Sequence, residues 1–178
     1  MAGENDLIKL YSGRILALAA DIPNSDRLEA PAVTVKKRSP LCGSTVTVDV
    51  EFEGQTVSAF GQDVKACALG QAAASVIGGA IVGASLDQVK QAQGALQTLL
   101  TEGGPPPQAP FEGLEVLRPA KDFKNRHASI MLALDAVVER STITKNSLSK
   151  IKPFRANLYK TNPCKTKPGR ALQGGAKT

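Results

Sequence analysis

Residues 44–52 read STVTVDVEF, with apolar side chains on every second position. Val46, Val48, Val50 and Phe52 share one side; Thr45, Thr47, Asp49 and Glu51 share the other. A period of two suits a pleated strand with one buried face, whereas a helix would scatter the valines around its circumference. Glu53-Gly54 then supplies a turn, and QTVSAFGQDV returns as the partner strand. The short β-branched run AVTVKK at 32–37 gives one more strand ahead of this hairpin. Three short strands in succession predict an antiparallel sheet, so the chain is α+β and not α/β.

Helical patterns flank the strands. Leu7, Leu10, Tyr11, Ile15, Leu18 and Ile22 recur at helical spacing over 6–22, with Asn5 or Asp6 as cap and Pro23 as stop. Residues 67–83 form a helix of small residues whose inward stripe is Leu69, Ala72, Ala73, Val76, Ala80 and Ile81. Gly70, Gly78 and Gly79 weaken it in isolation but admit a close neighbour. Ser85-Leu86-Asp87-Gln88 reads as a capping box opening the next helix, with Leu86, Val89, Leu96 and Leu99 inward. GGPPPQAP at 103–110 ends that helix as a stiff linker. The last helix is expected over 121–140, with Phe123, His127, Ile130, Met131, Leu134 and Val138 on one face. The expectation is a three-stranded antiparallel sheet with helices packed mainly on one face.

Charge divides the chain. The net charge is +6, but residues 141–178 hold nine Lys or Arg and no acid. Residues 1–140 therefore carry 13 basic and 16 acidic groups, a net of −3. We expect one domain over 1–140 and a basic, loosely packed or disordered tail over 141–178. The tail could bind a polyanion non-specifically, but with only Phe154 and Tyr159 it offers no aromatic platform for reading nucleic acid. No run of 18 apolar residues suggests a membrane span. The N-terminal stretch carries Glu4 and Asp6 where a secretory signal carries positive charge, so a cytoplasmic location is expected.

Three cysteines are too few for a disulfide framework. Cys42 lies in the RSPLCGS turn between the first two strands. Cys67 follows the third strand and begins a helix. In a meander these two points fall at the same end of the sheet. His127, the only histidine, begins a helix able to cross that end. Thiolate is the nucleophilic and metal-binding form of cysteine, and a helix N-terminus with Lys65 nearby favours it at Cys67. Two thiolates and an imidazole suit zinc or an iron–sulfur cluster and leave one coordination position open.

SPLCGSTVTVDV, VKACALGQAAASVI and NRHASIMLALDAV together resemble the NifU/IscU-like iron–sulfur cluster scaffold family, in particular its SufU-type branch, over residues 5–140. That family places its first cysteine in a N/S-P-x-C-G-D turn. Its second opens a G/A-C-A-x-x-Q/A-S helix, and its third begins the final helix as K-C-A-T-L or H-C-S-M-L. The resemblance implies that Cys42 and Cys67 are the first two cluster ligands and that His127 stands in for the third. Ser129 is the other candidate if the register moves by two. Ser44 replaces the family's acidic residue and is at most an accessory ligand.

The resemblance also implies a function. The chain would be a binding protein and not an enzyme: a scaffold that transiently holds a two-iron two-sulfur cluster, iron or zinc and passes the cluster to client proteins. Its partners would be a cysteine desulfurase, docking near Lys36-Lys37-Arg38, and the clients themselves; the chain would be a monomer or weak oligomer. The alternatives are a zinc-containing sulfur-transfer protein that accepts a persulfide on Cys42 or Cys67, and an interaction module without metal. Asn162-Pro163-Cys164 lacks the glycine and following strand of a scaffold turn and reads as a chance match.

Overall fold

A computed structural model of the chain describes residues 12–148. The start of the expected first helix, the basic tail from 149 onward and Cys164 lie outside the described residues. The elements in order are α1 (Gly13–Ala20), β1 (Val33–Arg38), β2 (Thr45–Glu53), β3 (Thr56–Lys65), α2 (Ala68–Ala80), α3 (Leu86–Thr101), a 3-10 segment (Glu112–Asp122) and α4 (Lys124–Leu148).

The sheet is the expected meander, in the order β1-β2-β3. Val48 of β2 lies opposite Val35 of β1 and Gln62 of β3, and both pairings are antiparallel. Val46, Val48 and Val50 are buried against the helices, as the alternation requires. Phe52 is only half-buried, because the β2–β3 register slips between Glu51 and Phe52. Such a bulge re-aims the side chains that follow it.

The opposite face of β2 was expected to meet solvent. Instead Thr47 and Asp49 are buried. The segment between α1 and β1 crosses this face. Arg27 forms an ion pair with Asp49, whose carboxylate also accepts from Thr34 Oγ1 (2.5 Å) and the Leu28 backbone N–H (3.2 Å). These donors hold the Asp49 carboxyl below its usual pKa: the Arg27 hydrogen bonds contribute most and outweigh the effect of burial.

α2 occupies the centre of the helical layer. Leu69, Gly70, Ala72, Ala73, Ala74, Ser75, Ile77 and Gly78 are all buried, which is more than one stripe of the helix. The expected inward residues Val76 and Ala80 are half-buried, and Ile77 takes the deep position. Small residues are needed because neighbours press from several sides. α3 opens on the expected capping box: Gln88 N–H donates to Ser85 Oγ (3.2 Å), and Ser85 N–H donates to Gln88 Oε1 (2.9 Å).

After the proline-rich linker the chain forms the 3-10 segment, which the sequence pattern did not suggest, burying Leu114, Leu117 and Ala120. α4 begins three residues later than expected and continues past 140 to Leu148. It lies across the sheet end of β1 and β2, and Lys37 pairs with Glu139 there. Among the described residues no helix is long and apolar enough to cross a membrane.

Candidate cargo site at the end of the sheet

The β1–β2 connection is a tight loop built by its own backbone. Ser39 N–H donates to Ser44 O (2.8 Å), and Gly43 N–H donates to Ser39 O (3.1 Å). Gly43 sits at φ +71°, a left-handed conformation that a side chain would strain. The result is a cradle. Cys42 Sγ lies 3.3 Å from Ser39 Oγ and 3.1 Å from Ser44 Oγ. Leu41, at the tip of the loop, is 73% exposed.

Cys67 is the N-cap residue of α2, in extended conformation at φ −67° and ψ 165°. Its sulfur lies 3.5 Å from Ser129 Oγ of α4. Ser129 in turn donates to Ser44 Oγ (3.1 Å). Cys42, Ser44, Ser129 and Cys67 thus form one chain of hydrogen-bonding groups across three elements. α2 and α4 touch closely here because position 70 is glycine. A Cβ at Gly70 would lie 2.6 Å from Ser129 Oγ and 3.1 Å from Ser129 O. Lys65 Nζ, expected near Cys67, pairs with Asp63 (3.1 Å).

The cradle changes Cys42 chemically. Desolvation by burial raises its thiol pKa, but hydrogen bonds from Ser39, from the Ser44 side chain and backbone, and from Ser129 stabilise the thiolate more. The outcome is a pKa lowered from 9.0 to about 7. A half-buried thiol of this kind is ionised to a large extent at neutral pH and still reachable.

Of the two candidates for the third position, the structure brings Ser129 to the cysteines. His127 does not join the cluster: its Nε2–H is directed at the carbonyls of Ala120 (2.9 Å) and Lys121 (3.1 Å), closing the end of the 3-10 segment. Residues two apart on a helix are rotated by about 200°, so α4 cannot present His127 and Ser129 to the same neighbour. Ser129 is the residue that reaches the cysteines. Ser44, the weaker accessory candidate, is central to the network. Among the described residues no group of three or more His, Cys, Asp or Glu comes together. The donor set at this end is therefore two thiols and neutral hydroxyls, short of the four ligands that zinc or an iron–sulfur cluster takes. Sequence reasoning missed Ser39, whose hydroxyl could have been found from the closed Ser39–Ser44 loop but not from any metal-ligand pattern.

No family model matches the sequence, and no curated protein does. Solved structures do. A nitrogen-fixing NifU-like protein (N-terminal) from Brucella abortus is 36% identical, with a TM-score of 0.77; the match covers 79% of this chain and 98% of that one. A candidate iron–sulfur cluster assembly scaffold for the SUF system from Fervidobacterium islandicum shares the fold at 16% identity, with a TM-score of 0.67 over 73% of this chain and 95% of that one. With 36% identity over an alignment that spans 98% of the Brucella protein, this chain belongs to the NifU/IscU-like scaffold family.

Proposed function

We propose that this protein is a scaffold in iron–sulfur cluster assembly, with iron and sulfide as cargo carried on Cys42 and Cys67 and passed on to client proteins. The observation that carries this reading is the hydrogen-bonded chain Cys42–Ser44–Ser129–Cys67 in a member of a scaffold family. It joins two sulfurs from distant segments at an accessible end of the sheet. The role is binding and hand-over, with no substrate turned over.

The cradle supports a first step at Cys42. A persulfide R–S–SH presented by a cysteine desulfurase is attacked at its outer sulfur by the Cys42 thiolate. The new S–S bond forms on Cys42 as the old one breaks, and R–S⁻ leaves with the electron pair. The Ser39 and Ser44 hydroxyls donate to the thiolate before attack. This step also supports the second reading, a sulfur-transfer protein. Zinc as an organiser of that site would need ligands beyond the two sulfurs of the described residues.

Two measurements test the reading. The full chain is loaded anaerobically with iron and sulfide, and iron, zinc and acid-labile sulfide are counted per chain. Cys42→Ala and Cys67→Ala should each abolish uptake; uptake unchanged in both variants overturns the assignment. Incubation with a desulfurase and cysteine, followed by alkylation and mass spectrometry, should find the added sulfur on Cys42. A persulfide on Cys42 without any iron uptake would favour sulfur transfer over the scaffold.

A further inference from the structure

We propose that sulfur received on Cys42 is moved within the chain to Cys67, with the Ser129 and Ser44 hydroxyls carrying a proton the opposite way. The inference rests on the persulfide step of the reading above and goes beyond it by giving Cys67 the second place in the transfer.

The two sulfurs come from distant segments but share a neighbour. Cys67 Sγ lies 3.5 Å from Ser129 Oγ, and the same hydroxyl is within hydrogen-bonding reach of Cys42. A persulfide on Cys42 carries its outer sulfur about 2 Å beyond Sγ, the length of an S–S bond. Turned toward Ser129, that extension narrows the gap to Cys67.

The hydrogen bonds give the transfer a direction. Ser129 donates its hydroxyl hydrogen to Ser44 Oγ (3.1 Å). Ser129 is then left with its oxygen to accept from the Cys67 thiol, and Ser44 with its hydrogen to donate to Cys42 Sγ (3.1 Å). Every donor in the chain points from Cys67 toward Cys42. Both hydroxyls are buried, which shields the chain from solvent. The sulfurs are also held unequally. Cys42 Sγ has the hydroxyls of Ser39 (3.3 Å) and Ser44 beside it, whereas among the described residues the hydroxyl beside Cys67 is that of Ser129, at 3.5 Å. Negative charge is therefore held better on Cys42. A sulfur that holds charge well leaves faster, and one that holds it less well is the stronger nucleophile.

The step balances without an oxidant or a reductant. The Cys67 thiol passes its proton to Ser129 as its sulfur attacks the outer sulfur of the Cys42 persulfide. A new S–S bond forms on Cys67 and the old one breaks. The electron pair stays on Cys42 Sγ, which takes a proton from Ser44 while Ser129 restores the proton of Ser44. Cys42 ends as a thiol and Cys67 as a persulfide. Cys42 is then open to a second charge, so that two sulfurs gather on one chain before hand-over.

The test charges the full chain briefly with a cysteine desulfurase and a limiting amount of cysteine labelled in its sulfur. Samples are trapped by alkylation at successive times, and the Cys42, Cys67 and Cys164 peptides are read by mass spectrometry. The label should appear first on Cys42 and then pass to Cys67, at a rate that does not change when the charged protein is diluted. Excess cysteine should place a sulfur on both. Cys67→Ser should hold the label on Cys42, and Cys42→Ser should keep it off Cys67. Ser129→Ala keeps both sulfurs and breaks the donor chain. It should slow the passage relative to the charging of Cys42 by about tenfold, short of the hundredfold of a sealed site because both thiols are half-buried. In deuterium oxide the passage should slow in the parent and much less in Ser129→Ala. Label that stays on Cys42, passes to Cys164 or reaches Cys67 in Cys42→Ser overturns the proposal, and the scaffold reading then stands or falls by its iron count. A passage that slows on dilution, or one that Ser129→Ala leaves undiminished, overturns it as well. If no label reaches any cysteine, the persulfide step fails and this inference with it.

Discussion

Removing the hydroxyls around Cys42 should make its thiol ordinary again. The perturbation is Ser39→Ala combined with Ser44→Ala. At a pKa of about 7 roughly half of Cys42 is thiolate at pH 7; at the unperturbed value of 9.0 only about one per cent is. Ionisation alone therefore favours the parent by about fiftyfold. A less basic thiolate is also a poorer nucleophile, by about tenfold over two pKa units at a Brønsted slope near 0.45. The net advantage in attacking a neutral disulfide at pH 7 is about fivefold. Above pH 9 the order should reverse, because both thiols are then ionised and the variant's is the more basic. Burial, which raises the pKa, and the Ser44 backbone N–H, which lowers it, both survive the change, so the midpoint moves upward from about 7. The assay is the rate of mixed-disulfide formation at Cys42 against pH, resolved from Cys67 and Cys164 by peptide mass spectrometry. A parent midpoint near 9, or one near 7 that the double variant leaves in place with its fold intact, would refute the cradle argument.

Three other perturbations test the frame that holds the site. Gly70→Ala puts a methyl group against Ser129 and Ala66, and should lower stability by about 1–3 kcal/mol in urea unfolding, as overpacking does elsewhere. Asp49→Asn weakens the latch to Arg27 and should cost about 1–3 kcal/mol at neutral pH, the half-exposed Arg27 limiting the loss. Because the Asp49 pKa is lower in the folded chain, its contribution is complete above the unfolded carboxylate value of about 4 and fades as pH falls through the folded one. Urea midpoints of parent and variant should therefore converge in acid; a constant gap would contradict the ion pair. Ser129→Cys places a third sulfur beside Cys67 and Ser44, and should slow removal of loaded iron by a chelator by about tenfold or more; an unchanged rate would mean that position 129 does not face the cargo.

Much of the frame was legible because its signals are local. The period-two alternation of 45–51, the Gly54 turn and the Ser85/Gln88 capping box each act within a few residues, and each appears where expected. Cys42 and Cys67 were legible for the same reason, one in a glycine turn and one at a helix start. Asp49 was not. A carboxylate on the outer side of an alternating strand reads as solvent-facing, and only Arg27, 22 positions earlier, makes its burial tolerable. The 3-10 segment escaped because Pro119 interrupts it and its packing against α3 supplies the order that its own pattern lacks.

The third position shows where reading from chemistry alone falls short of geometry. Histidine attracts attention as a metal ligand, so the register of α4 was set by His127, and Ser129, two positions on, stood only as the alternative. Helical geometry decides between them, since only one can face Cys67, and the glycine at position 70 records which: it leaves room for Ser129 and for nothing larger on its own side. That choice has a consequence for the charge of the site. An imidazole there would have added a neutral nitrogen ligand, whereas a hydroxyl adds a hydrogen-bond donor to sulfur. The hydroxyls of Ser39, Ser44 and Ser129 thus stabilise the thiolate of Cys42.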